Sequence, residues 1–179
     1  MVASCQNRQD GYYTAWAAAA REDVDLVLFL GDAVYESVKH HGYVRPHSGA
    51  REPRTLAEYR VRHGQYRSDG QAQAAHAAHP FVMTPDDHEV DDNWAGGVPK
   101  DPDGQSPAAF RRRRDAAMRA YAEHVPARGV PSGRRRERYH RRLEARRPAA
   151  AHRARHQAVP QRPAAHAACG RAPRSDDDR

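Results

Sequence analysis

Apolar positions along the chain fall into short runs separated by stretches of helical period and by long polar gaps. Leu26 to Leu30 is unbroken and reads as a buried strand. Val2 to Ser4 reads as the end of a second short strand, and Phe81 to Thr84 as a third. Between the strands the period changes. Tyr13 to Arg21 predicts a helix with an alanine-rich middle and Trp16 available for packing. Thr55 and Glu58 make a capping box, after which Leu56 and Tyr59 begin a helical face. Gln71 to His79 predicts a second alanine-rich helix, stopped by Pro80. Ser106 and Pro107 open a longer helix in which Phe110, Ala117, Met118 and Tyr121 share a face. From Glu36 to Pro53 the chain is rich in His, Gly, Pro and Ser, the pattern of a long excursion over the surface. Alternating strands and helices predict an α/β fold, with chemistry at the carboxyl ends of neighbouring parallel strands.

Composition changes this picture at one point. The 179 residues suffice for one domain, yet only 39% are hydrophobic and the mean hydropathy is −1.01, low for a compact fold of this size. Up to about Arg128 charge is mixed and apolar segments are clear; beyond it Arg, Ala, Pro and His dominate. The division expected is therefore a folded part, 1–128, and a disordered basic tail, 129–179. Cys5 and Cys169 do not make a disulfide framework. No stretch approaches a membrane span, and no leader of basic, apolar and small residues precedes the first strand. A net charge of +7 raises a polyanion as partner. Arg111 to Arg114 lies on a predicted helix and reads as a solvated face, and neither stacking aromatics nor a nucleic-acid module accompanies it. A non-enzymatic polyanion-binding protein is thus the competing class.

The chemistry concentrates at the strand ends. Gly31-Asp32-Ala33-Val34-Tyr35, with Glu36 behind it, delivers an aspartate and a tyrosine where a strand runs out into a loop. Carboxylate and phenolate oxygens are hard ligands, suited to a charged metal such as ferric iron or calcium. Cys5 follows the first strand, and Asp86-Asp87-His88-Glu89-Val90 follows the third. If those strands are neighbours, thiolate, tyrosinate and carboxylates surround one or more cations. Such cations neutralise phosphate oxygens and activate water, while a nearby histidine donates a proton to the leaving alkoxide. Taken singly, each residue has a plainer reading: Gly-Asp as a turn, Cys5 as a small packing residue, Tyr35 as a half-buried aromatic, His88 as a surface histidine. Arg67 suits either a phosphate contact or an ion pair and stays outside the site.

In order along the chain, Ala3-Ser4-Cys5-Gln6-Asn7 with Asp10-Gly11-Tyr12, Leu30-Gly31-Asp32 through Tyr35-Glu36, Tyr66-Arg67-Ser68-Asp69, Ala74-Ala75-His76-Ala77-Ala78, Asp86 to Val90 and Tyr121 to Pro126 resemble PhoD-type alkaline phosphatases. The resemblance covers roughly residues 2 to 128. It implies part of a metallophosphoesterase-type α/β sandwich and hydrolysis of phosphate mono- or diesters. It also implies Fe3+ with Ca2+, and an extracellular or cell-envelope location; with no export signal in this sequence, retention in the cytoplasm is the alternative. Carried onto these positions, Cys5 and Tyr35 would bind iron, Asp32 would bridge the metals, Asp87 would hold a second cation and His88 would lie close to the phosphoryl group. The resemblance further implies later ligands from a Gly-Asp-Val-His-type segment, which this sequence does not contain, so impaired activity or an inactive relic is expected of it. Pro85 stands where an aromatic usually precedes the two aspartates, and Asp91-Asp92 replaces a more amide-rich sequence. These changes bear on the shape of the loop.

The tail suggests a different reading frame. Reading Ala154 to Ala164 one nucleotide later admits Leu-Asp-Thr-Arg-Gln-Tyr-Arg-Ser-Asp-Gln, a segment of a form that the family resemblance places downstream of the helix ending at Pro126. Residues from about 130 onward are therefore expected to be out-of-frame translation.

Overall fold

The computed structural model describes residues 1–126. The expected tail and its change of frame lie outside the described residues. Three strands, β1 (Val2–Ala3), β2 (Val27–Phe29) and β3 (Phe81–Met83), form one sheet in the order β1-β2-β3. All pairs are parallel, with Val2 beside Leu28 beside Val82, and Ala3 beside Phe29 beside Met83. The neighbour relation on which the chemical reading depends is therefore met, and all three carboxyl ends open on one edge.

Four helices follow from their caps and apolar faces. Helix α1 (Thr14–Ala19) is shorter than the alanine run, because Arg21 and Glu22 close turns onto Ala18 and Ala19 rather than extend it. Between β2 and β3 the chain makes two helices, α2 (Leu56–Arg67) and α3 (Gly70–Ala78). The capping box opens α2: Glu58 N donates to Thr55 Oγ1 at 3.3 Å, and Thr55 N to Glu58 Oε2 at 2.8 Å. Asp69 caps α3 through Gln71 N and Ala72 N. Helix α4 (Pro107–His124) starts at Ser106 and buries Phe110, Ala117, Met118 and Tyr121, the face that its period predicts. Helices α1 and α3 pack together, as do α2 and α4. No helix among the described residues is long and apolar enough to cross a membrane.

Trp16 covers one face of the sheet, with its ring 5.9 Å from Phe29 and 5.5 Å from Phe81. Val27, Phe29 and Met83 are buried there. Alternation along a strand sends Val2, Leu28, Leu30 and Val82 to the opposite face. Val2 is 61% and Leu30 54% exposed, so among the described residues the apolar run Leu26 to Leu30 is covered on one side only.

Two further expectations are refined. The excursion from Glu36 to Pro53 is sewn down: Arg45 pairs with Asp69 at 2.5 Å, and His47 bonds Tyr66 Oη at 2.9 Å. The Arg111 to Arg114 run is not a uniform solvated face. Arg111 and Arg112 are exposed, but Arg113 is buried, donating to Tyr59 Oη (3.0 Å), Asp91 (2.9 Å) and Glu52 (3.1 Å). A single guanidinium thus supplies the counter-charge for buried Asp91 and partly exposed Glu52.

Candidate metal centre

Each loop at the carboxyl edge is tied to its neighbour. Cys5 N donates to Gly31 O and Gln6 N to Asp32 O, so the loop after β1 continues the ladder onto the loop after β2. Gln6 Nε2 adds a bond to Ala33 O at 2.7 Å. Glu89 joins the loop after β2 to the loop after β3. It is fully buried and accepts from Asp32 N (3.2 Å), Ala33 N (2.6 Å) and Asp86 N (2.6 Å).

Asp32 is the hub. Cys5 Sγ donates to Asp32 Oδ2 at 3.5 Å, and Tyr35 Oη to the same oxygen at 3.3 Å. A carboxylate oxygen of Asp32, one of Asp87 and a ring nitrogen of His88 lie within 4.8 Å of one another. Asp87 is held in turn by Asn93 N, which donates to its Oδ2 at 2.5 Å. Cys5, Asp32 and Asn93 are the three non-glycine residues with positive φ among those described (59°, 58° and 56°). Such conformations cost about 1–3 kcal/mol each and gather where a side chain has to be aimed. Two of them are predicted ligands.

The residues present fit a cation. Asp32 Oδ1 is buried with no hydrogen-bond partner, a costly arrangement for an acceptor unless something positive meets it. The acids around it are held toward their protonated forms. Burial, with Asp87 and Asp86 nearby, pushes Asp32 up to about 6 against the relief that His88 gives. Burial also raises the Cys5 thiol and, joined by the Asp32 charge, the Tyr35 phenol. A bound cation inverts this logic by favouring every deprotonated donor.

His88 has a built support. Its Nδ1 pairs with buried Glu36 Oε2 at 2.8 Å, while Glu36 Oε1 accepts from Asp92 N at 2.8 Å. The Tyr35 ring lies 4.1 Å from the imidazole. Burial opposes the charged ring, but the Glu36 hydrogen bond and the Glu36, Asp32 and Asp87 charges outweigh it, raising His88 to about 9.

The profile of the PhoD-like phosphatase family matches residues 1–167. The chain belongs to that family. Alkaline phosphatase D of Bacillus subtilis (strain 168) is 51% identical over 138 residues, covering 73% of this chain and 23% of that protein. A solved structure of PhoD superposes with a TM-score of 0.73 at 47% identity, covering 80% of this chain and 28% of that one. This PhoD-like chain therefore spans about a quarter of the length of these relatives, and its α/β fold is theirs over that part.

The structure gathers all five sequence-selected residues: Cys5, Asp32 and Tyr35 meet at one oxygen, with Asp87 and His88 beside them. Of the departures from the family pattern, Asp92 reaches the cluster, with Oδ1 3.7 Å from His88 Nε2. Asp91 turns inward to Arg113 and caps Lys100 N, while Asp92 pairs with the Lys100 ammonium. Sequence reasoning misses the supporting acids. Glu36 and Glu89 sit inside the quoted motifs, yet no spacing announces that both are buried and spent on positioning.

Two outcomes follow for this PhoD-like chain. Glu36→Gln should release His88 from about 9 toward the ordinary histidine range, read as the pH midpoint of its ring signals by NMR. An unmoved midpoint would show that Glu36 does not hold the imidazolium. The metal-free protein should also lose stability as pH rises. Asp32, raised to about 6 from 3.8, and Glu89, raised by burial to about 8 from 4.5, favour the fold when protonated. His88, raised to about 9 from 6.5, favours it when charged. All three contributions are complete below the ordinary values and drain away through the raised ones. Glu36, lowered in spite of its burial by the His88 bond, acts the other way but only in acid. His47, His63 and His76, lowered by burial from 6.5 to between about 3 and about 4, also act the other way, but only below 6.5. The melting temperature of the chelated chain should therefore fall between pH 6.5 and 9. A flat or rising profile refutes the assignment.

Proposed function

We propose that this chain carries one side of a two-metal phosphoesterase centre, for hydrolysis of phosphate mono- or diesters with Fe3+ and Ca2+. The observation that carries the reading is the meeting of sulfur, phenol and carboxylate donors from three adjacent parallel strands, beside an unpartnered buried oxygen of Asp32. Cys5 and Tyr35 would hold the iron, Asp32 would bridge, and Asp87 would hold the second cation. Bound there, the cations would neutralise phosphate oxygens and activate water. His88 would hold a proton for the leaving oxygen. With Nδ1 fixed on Glu36 at 2.8 Å and Nε2 facing Asp92 Oδ1 at 3.7 Å, Nε2 is the more loosely held nitrogen and the one for that task. The relatives' names state phosphatase activity for them; this chain, at about a quarter of their length, would work weakly with the ligands it has, because affinity needs a full oriented shell.

The test is to strip the purified chain of metal, restore Fe3+ and Ca2+, and follow phosphate release from a chromogenic ester together with a tyrosinate-to-iron absorption band. A band with slow turnover is expected. Neither band nor release, alongside salt-sensitive binding to DNA, would favour the polyanion-binding alternative. We place the protein outside the cytoplasm or in the cell envelope, which fractionation would check. We also retain the boundary at 128 and the change of frame near 130, although the family match runs on to 167. Sequencing the locus decides between them.

A further inference from the structure

Behind the loop that carries Asp32 and Tyr35 lies a cavity of about 70 Å³, lined by Gln6, Ala33, Val34, His63, Arg67 and His76 among others. The volume accommodates several water molecules or one small polyatomic ion. Its charge is one-sided. Arg67 is half-buried at the end of α2 and donates to His76 Nε2 at 3.1 Å and, more weakly, to Met83 Sδ at 3.7 Å. No carboxylate among the described residues pairs with it, so the ion-pair reading of Arg67 is not met. Burial lowers its affinity for the proton, with only the Tyr121 phenol opposing. That unbalanced charge is felt next door. Burial and Arg67 hold His76 down to about 4, and burial, His124 and Arg67 hold His63 down to about 3.

His63 adds an independent observation. The side chain is 1% exposed, and its Nε2 has no hydrogen-bond partner. The ring itself is fixed, stacked on His124 at 4.9 Å. A half-buried guanidinium without a carboxylate partner, next to a buried ring nitrogen without a partner, is expensive twice over. Both costs fall if an acceptor-only ion enters. The Arg67 fork offers parallel N–H donors, and neutral His63 can offer another from Nε2.

We propose that this cavity is an anion site separate from the metal centre, taking a small tetrahedral oxyanion such as inorganic phosphate. Ala33 and Val34 line it and lie between Asp32 and Tyr35 in the chain, so an ion held by Arg67 and His63 would press on the loop that aims both proposed ligands. The inference does not depend on turnover at the metals.

The test uses the full chain, with inorganic phosphate titrated at constant ionic strength and sulfate in a parallel arm. His63 and His76 ring signals by NMR and the melting temperature are followed. Expected is a saturable shift of both rings and a rise in melting temperature with phosphate. A response to both oxyanions identifies a general tetrahedral site, and one to phosphate alone a selective site. Arg67→Met should weaken binding by on the order of tenfold or more and abolish the rise. Its own melting temperature without anion should be unchanged or higher, since a lone buried charge has gone. His63→Phe keeps the ring stack, removes Nε2 and should weaken binding as well. Asp87→Asn should leave the ring shifts intact even if cation uptake and activity are lost, which separates this site from the metal reading. Shifts that track chloride as readily as phosphate, or that survive unchanged in both Arg67→Met and His63→Phe, overturn the proposal.

Discussion

Asp32→Ala should abolish cation uptake while leaving the metal-free fold as stable as before, or more stable at pH 8. The two halves of that result have one cause. Among the described residues, Asp32 accepts from both the Cys5 thiol and the Tyr35 phenol, and its carboxylate is also the one that Asp87 and His88 approach. Removing it leaves the two sides of the cluster without a common ligand. Even distant supporting groups cost 10–100-fold in metal affinity, so loss of the shared donor should cost about 100-fold or more. Without metal the same carboxylate is a liability: buried, raised to about 6 by that burial, with one oxygen unpartnered. Deleting a buried charge that His88 and two hydrogen bonds offset only in part removes a penalty. Metal content by elemental analysis and melting curves of the chelated protein would read the two halves separately. A variant that still binds iron would remove Asp32 from the centre. One that loses metal because it unfolds would make Asp32 structural, and the phosphoesterase reading would lose its hub.

How much of this is legible in the sequence depends on the range over which each group acts. The strands, the capping box at Thr55 and the buried face of α4 follow from local pattern, because cap and period are properties of a few consecutive residues. Cys5, Asp32, Tyr35 and Asp87 are legible only as a set: each alone has a plainer reading, and the ordered resemblance along the chain is what joins them. Glu36 and Glu89 are not. Glu36 acts on an imidazole 52 positions away, and Glu89 on backbone groups 56 and 57 positions away, relations that no window of sequence contains. Arg113 shows the same limit from the other side. A run of four arginines reads as solvated, yet one of them reaches Tyr59 and Asp91 across the helix pair.

The single-sided sheet connects fold to function. Parallel sheets are normally covered on both faces, but among the described residues Val2 and Leu30 stand exposed opposite the Trp16 layer. The carboxyl ends of that sheet carry the loops of Cys5, Asp32 and Asp87, so the layer packed under Trp16 is what fixes their spacing. Burial, joined by neighbouring charge, raises Asp32, Cys5 and Tyr35 at that same sheet edge.

Gly31→Ala should be the most damaging single-methyl change in the described part, costing about 3 kcal/mol or more. Two independent obstacles coincide there. The backbone sits at φ 109°, where a side chain is strained whatever space surrounds it. A Cβ on Gly31 would also lie 2.4 Å from Asp86 Cβ and 2.8 Å from Asp86 N. The second contact is with backbone, so no rotamer relieves it. Relief requires the loops after β2 and β3 to part, and they carry Asp32 and Asp87 respectively. Glu89 would be pulled at the same time, since its carboxylate spans Asp32, Ala33 and Asp86. The loss should therefore appear in metal affinity as well as in denaturant midpoint. Gly64→Ala is the matched control: that glycine lies exposed within α2, and a Cβ there meets nothing within 4 Å. The same substitution should stabilise the chain by up to about 1 kcal/mol, through helix propensity alone. If both variants shift the midpoint in the same direction, the close approach of the two metal-bearing loops is not what Gly31 provides.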